Sequence, residues 1–156
     1  MKFKLFRSKA NRSPEQDRVA TVASALHEDW RQTRQQADGN FEPRVKTTKD
    51  EAWVAAHGTD QVDIANTAYG DLPADWQAEN KAAATVVVRL LGRGAVNLAA
   101  AEDRERAGSE IHDEWLARND WARGGNLDVP FSQLPPDEQA KDIAQVAIAQ
   151  QVLFQA

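Results

Sequence analysis

The sequence predicts a mainly α fold: a single compact domain of two pseudo-symmetric helical halves with short extended connections. Three observations carry this. Apolar residues recur three and four apart, as at Val19, Val22, Leu26 and Trp30, which is the spacing of one helix face. Helix-start signals precede such stripes, whereas strand signals are few and short. The chain also repeats itself. Leu26-His27-Glu28-Asp29-Trp30 is echoed by Ile111-His112-Asp113-Glu114-Trp115 at an offset of 85. Tyr69-Gly70-Asp71-Leu72-Pro73-Ala74-Asp75 is echoed by Phe131-Ser132-Gln133-Leu134-Pro135-Pro136-Asp137 at an offset of 62. The offsets differ by 23 residues, so the first copy carries an insertion that the second lacks. Two diverged copies of one supersecondary unit, facing each other across a pseudo-dyad, is the simplest reading.

Residues 1–12 form an N-terminal arm, mobile or partly docked, in which basic residues interleave with Phe3, Leu5 and Phe6. The arm lacks the continuous apolar stretch and cleavage site of a signal peptide. The first half spans residues 13–91. Ser13-Pro14-Glu15-Gln16 is a capping box with Pro at the first helical position, opening a helix to about Ala37. Residues 41–63 are the insertion: Phe41 to Thr47 is extended, and Thr48-Lys49-Asp50-Glu51 caps a short helix that stops at Gly58. Gln61 to Asp71 is loop or short strand. A helix starting at Leu72-Pro73 runs to Leu91, before Gly92 and Gly94. The second half spans residues 95–156. A helix from about Ala95 to Asn119 carries Ile111 and Trp115, with Gly108 weakening its middle. A loop hinged at Gly124-Gly125 leads to a last helix from about Pro136 to Phe154, with Ile143, Val146, Ala147 and Leu153 on one stripe.

At 156 residues the chain is long enough to bury one substantial core. Its net charge of −5 supplies no global field toward nucleic acid, so no nucleic-acid partner is expected. No apolar run approaches the ~20 residues of a membrane span. The absence of cysteine excludes disulfides and thiol chemistry and fits a cytoplasmic protein.

The second copy carries a further likeness. His112-Asp113-Glu114-Trp115, the turn Leu127-Asp128-Val129-Pro130-Phe131 and the stretch Leu134-Pro135-Pro136-Asp137-Glu138-Gln139-Ala140-Lys141-Asp142 occur in order. This resembles the ryanodine-receptor-type repeat, with its His-acid-x-Trp helix, valine-proline-aromatic turn and later lysine-aspartate pair. The match covers roughly Glu110 to Ala149. The first copy follows it through His27 to Trp30 and Tyr69 to Asp75, with Thr67-Ala68 in place of Val-Pro. The resemblance implies a mostly helical unit of two pseudo-symmetric halves. It also implies the nucleotide-like signal sensing suspected of small prokaryotic members. No pore helix accompanies it, so a channel is not implied.

The candidate chemistry is sparse. His27 and His112 sit beside Trp30 and Trp115, where each pair either anchors a helix in the core or lines a cleft shared by the halves. His27, His57 and His112 are the only histidines, and none has a second ligand at metal-binding spacing, so no metal or other cofactor is expected. No phosphate loop or nucleophile elbow occurs, so no catalytic residues are assigned. The insertion is the more suggestive region. Arg44 and Lys46 precede a helix start, a combination suited to an anion. Trp53 and Tyr69 offer stacking faces, and Asn66 a polar reader. These residues together define a non-catalytic module binding a small anionic or nucleotide-derived ligand in a cleft between the halves. The alternative is a protein-interaction or assembly module, binding a protein partner or its own copy as a homodimer.

Overall fold

The computed structural model describes residues 12–154. It is mainly helical, with a two-stranded ribbon inside the insertion. The arm ahead of Arg12 lies outside the described residues, as do the last two positions.

Helix α1 (Pro14–Gln32) opens on the expected capping box: Gln16 N–H donates to Ser13 Oγ, and Ser13 N–H to Gln16 Oε1. It ends at Gln32 rather than Ala37. Thr33 Oγ1 donates back to Trp30 O, and the chain reverses through Gly39, at φ 88°, so that Gln35 bridges to Phe41. Arg34 fixes the returning strand, its guanidinium donating to Glu42 O and Pro43 O. Arg31 lies over the Phe41 ring at 4.5 Å and donates to Ala65 O. The helix end is therefore set by the insertion packed beside it.

The insertion is a ribbon with a helix at its tip. Strand β1 (Val45–Thr47) pairs antiparallel with β2 (Gln61–Asp63), Lys46 facing Val62 in register. Between them lies α2 (Glu51–His57), whose N-cap is Asp50, not the expected Thr48. Thr48 is buried and donates to Asp75 Oδ1 at 2.6 Å instead.

Helix α3 (Ala74–Gly92) and helix α5 (Pro136–Phe154) lie close to their predicted bounds. Helix α4 (Ala101–Arg118) starts six residues later than the periodicity suggests. The preceding residues are held out of the helix: Asn97 N–H donates to Asp103 Oδ2, and Val96 O accepts Gln150 Nε2. Helix α1 packs on α3 and α5, α4 packs on α5 and α3, and α3 also meets α5.

The main core joins Val22 and Ala23 of α1, Ala84, Val87, Val88 and Leu90 of α3, Ala107 and Ile111 of α4, and Val146 and Ala149 of α5. A second cluster of Val62, Ile64 and Leu72 lies under Trp30, Trp53, Tyr69 and Trp76. Burying such side chains contributes roughly 25 cal/mol per Å². Gly108 has a packing role that its helix propensity conceals. The Phe131 ring lies so close that a Cβ at Gly108 would sit 2.3–2.6 Å from three ring carbons. Among the described residues, no helix is long and apolar enough to cross a membrane.

Candidate ligand site

The echoed sequences make the same bonds. His27 and His112 are both 4% exposed. His27 Nε2 lies 2.8 Å from Thr67 O, and His112 Nε2 lies 2.9 Å from Val129 O and 3.0 Å from Leu127 O. Carbonyl oxygens only accept, so Nε2 carries the proton in both rings. Thr67 and Val129 are themselves 62 apart, so both histidines clasp the chain just ahead of the aromatic-x-x-Leu-Pro turn. Each ring also stacks on the tryptophan three residues later, at centroid separations of 5.8 and 6.0 Å. Gln77 and Gln139 extend the correspondence: Gln77 donates to Gly70 O and Leu72 O, Gln139 to Ser132 O and Leu134 O.

Beside these two histidines the surroundings differ. Next to His112 is a cavity of about 330 Å³, walled by Trp115, Leu127 and Leu134 and by one stripe of α5: Glu138, Lys141, Asp142 and Gln145. Those four recur at i, i+3, i+4 and i+7, the spacing of a single helix face. At the offset of 62 the α3 residues are Trp76, Glu79, Asn80 and Ala83. Trp76 is packed there against Val62, Ile64 and Leu72, its Nε1–H donating to Thr47 O. The insertion thus packs onto the α3 face, whereas the corresponding α5 face borders a cavity. Trp121, 75% exposed, meets Trp115 edge-on at 5.6 Å.

Two of the lining residues carry shielded polar atoms that lack partners. Among the described residues, Asp142 Oδ2 and Gln145 Oε1 are buried without a hydrogen bond. Lys141 is committed to Glu138 at 2.9 Å. Burial pushes the Asp142 carboxyl up to about 6; His112, Arg118 and Lys141 pull it down, and Glu138 pushes it further up. Arg118 is itself held below its ordinary value by burial, against the pull of Glu79, Glu114 and Asp142.

An acid whose folded value lies above 3.8 contributes stability that is complete below that pH and lost as pH rises toward about 6. For a carboxyl only partly screened from water the effect is on the order of 1 kcal/mol. Thermal unfolding followed by circular dichroism should therefore give a wild-type midpoint that falls between about pH 4.5 and pH 7. Asp142→Asn should flatten that slope; an unchanged slope would remove Asp142 as its source.

The other residues named from the sequence take different places. Arg44 is exposed; its backbone N–H donates to Asp63 Oδ1 and its carbonyl accepts Ile64 N–H. Lys46 lies on β1. Trp53 stacks on His57 at 4.0 Å. Asn66 exchanges hydrogen bonds with the Phe41 backbone and donates to Asp63 Oδ2. Tyr69 is wedged between the two apolar clusters. His27 belongs to its own latch. Of the seven, His112 alone lines the cavity.

The anion expected at the start of α2 meets an obstacle, because carboxylates of the chain already occupy that position. Asp50 accepts Trp53 N–H and Ala74 N–H, capping α2 and α3 together. Asp75 accepts Thr48 Oγ1–H and Lys49 N–H. Hydrogen bonds from Ala74 and Trp53 hold Asp50 below its ordinary value. At Asp75 burial works the other way, but the bonds from Thr48, Lys49 and Trp76 prevail.

Of the cavity-lining residues, Trp115, Glu138, Lys141, Asp142 and Gln145 were not among the site residues the sequence suggested. The signal was present as a polar stripe on α5 opposite its apolar one. Among the described residues, no group of three or more His, Asp or Glu side chains is placed to hold a metal ion. Comparison with family models, curated proteins and solved structures finds no match to this chain.

Proposed function

We propose that the protein is a non-catalytic binding module for a small molecule, with its site in the cavity between α4 and α5 beside His112. The carrying observation is the cavity itself, about 330 Å³, with an indole face from Trp115 and a polar stripe of Glu138, Lys141, Asp142 and Gln145 on α5. Apolar walls with a few convergent polar groups are the usual make-up of a small-molecule site, and about 330 Å³ lies within the common size range. The lining residues include no hydroxyl nucleophile, and the His112 Nε2–H is spent on carbonyls, which favours binding over catalysis.

A nucleotide-derived ligand remains the favoured class, its base rather than its phosphate entering the cavity. The resemblance to the ryanodine-receptor-type repeat belongs to the same proposal: the chain is read as two diverged copies, supported by the matched histidine and glutamine bonds. A thermal-shift screen of nucleosides, nucleotides and small amines tests the reading. A ligand at 100 times its Kd stabilises a fold by about 2.7 kcal/mol, roughly 5–10 °C in Tm at this size. The shift should vanish in Trp115→Leu relative to that variant's own baseline. No shift across the panel would contradict the reading.

The exposure of Trp121, at 75%, and of Phe154, at 67%, supports the second reading, a surface for a protein partner or a second copy. Concentration-dependent sedimentation that Trp121→Ser abolishes would favour it.

A further inference from the structure

The chain segregates its charge. Residues 1–12 hold five of the nineteen Lys and Arg residues and none of the twenty-four acids. This stretch therefore carries +5, and the remaining fourteen cations and twenty-four acids carry −10. Three large apolar residues, Phe3, Leu5 and Phe6, interleave with Lys2, Lys4 and Arg7. Where the stretch joins the fold, the surface is cationic as well. A groove of about 680 Å³ between the first turns of α1 and α3 is lined by Arg12, Lys81 and Arg89, with Glu15 opposing them, and by Val19 and Ala20. Lys81 makes no ion pair among the described residues. Arg12 pairs with Asp17 at 3.1 Å, and Arg89 with Glu15 at 3.4 Å. Surface pairs of this kind are weak, so their cations remain available to an outside anion. Ser13 already caps the first amides of α1, so the positive potential comes from side chains.

We propose that residues 1–12 and this groove together form a docking surface for an anionic lipid membrane, with the cations on the headgroups and Phe3, Leu5 and Phe6 in the interface. Each Lys or Arg near an anionic membrane surface strengthens binding roughly fivefold. The interleaved apolar residues select among anionic partners. A lipid interface gives all three an apolar interior to enter, which a duplex nucleic acid does not. The acids elsewhere in the chain oppose docking weakly, because charges beyond about 8 Å are largely screened at physiological ionic strength. Attachment is peripheral and does not depend on the cavity beside His112.

Co-sedimentation of the full chain with phosphatidylcholine vesicles, with and without phosphatidylglycerol, tests the proposal. Binding should require phosphatidylglycerol and weaken with added salt. Replacing Lys2, Lys4, Arg7 and Lys9 together with Gln should weaken it about 100-fold or more. Phe3→Ser combined with Phe6→Ser should weaken it roughly 10-fold. Lys81→Gln combined with Arg89→Gln, at two exposed positions of α3, should weaken it roughly 5- to 20-fold with an unchanged circular dichroism spectrum. Equal binding to neutral vesicles, no binding to either kind, or full binding by the four-Gln variant would overturn the proposal. An unchanged affinity on replacing Lys81 and Arg89 would overturn the part assigned to the groove. A DNA duplex bound as tightly as the anionic vesicles, and indifferent to the Phe replacements, would overturn the lipid assignment in favour of a soluble polyanion.

Discussion

Replacing Gly108 with alanine is expected to destabilise the protein by about 2 kcal/mol, although alanine is the better helix former by roughly 1 kcal/mol. Propensity and packing oppose each other at this position, and magnitude decides. The added Cβ would stand 2.3–2.6 Å from three atoms of the Phe131 ring, well inside van der Waals contact. The ring cannot simply step aside. Phe131 is buried and sits in a short helical turn between Pro130 and Leu134. Tight interiors resist even one extra methyl group, because neighbours are forced off their rotamers. Urea unfolding of Gly108→Ala should show a lower midpoint at unchanged slope. Trimming the ring, in Gly108→Ala with Phe131→Leu, should lose less than the sum of the two single changes. A stability equal to or above wild type in the single variant would show that packing at this contact is loose.

The buried histidines should give the second large effect. His27→Leu removes the donor to Thr67 O together with the stacking on Trp30. His112→Leu removes the donor to both Leu127 O and Val129 O, and the stacking on Trp115. A buried carbonyl left without its partner costs about 1–3 kcal/mol, so His27→Leu should cost about 2 kcal/mol and His112→Leu at least as much. Because both latches fix the chain ahead of an equivalent turn, the two variants should unfold cooperatively with similar denaturant slopes. If either histidine is replaced without loss, that ring is not a latch. Should His27→Leu be tolerated while His112→Leu is not, the correspondence between the halves would be superficial.

Much of the fold was legible because its signals are local. The Ser13–Gln16 capping box, the stop at Gly58 and the start of α5 at Pro136 each depend on residues within one turn. The echoes led to matching bonds because His, Trp, Leu and Pro recur at the positions that make them. Long-range contacts decided what was misread. Thr48 looks like an N-cap from its neighbours, but Asp75, 27 residues away, takes its hydroxyl. The end of α1 is set by Arg31 over the Phe41 ring and Arg34 bonded to Glu42 O, contacts that periodicity alone does not reveal. The proposed site lies elsewhere for a related reason. Cations and aromatics in the insertion suggested a ligand, whereas Trp53 and Trp76 help fill the corresponding face in the first half. The cavity borders the α5 face, whose Asp142 entered the sequence reading only through the Lys141-Asp142 pair of the family resemblance.

The claim that the ligand site belongs to the second half is tested most directly at the five tryptophans. In a ¹H–¹⁵N spectrum each indole N–H gives its own resonance, and single Trp→Phe variants assign them. On titration with guanosine monophosphate, the Trp115 and Trp121 resonances should shift and saturate together. Those of Trp30, Trp53 and Trp76 should stay in place. Movement of Trp53 and Trp76 with Trp115 stationary would return the site to the insertion, and no saturable movement at Trp115 would contradict the account.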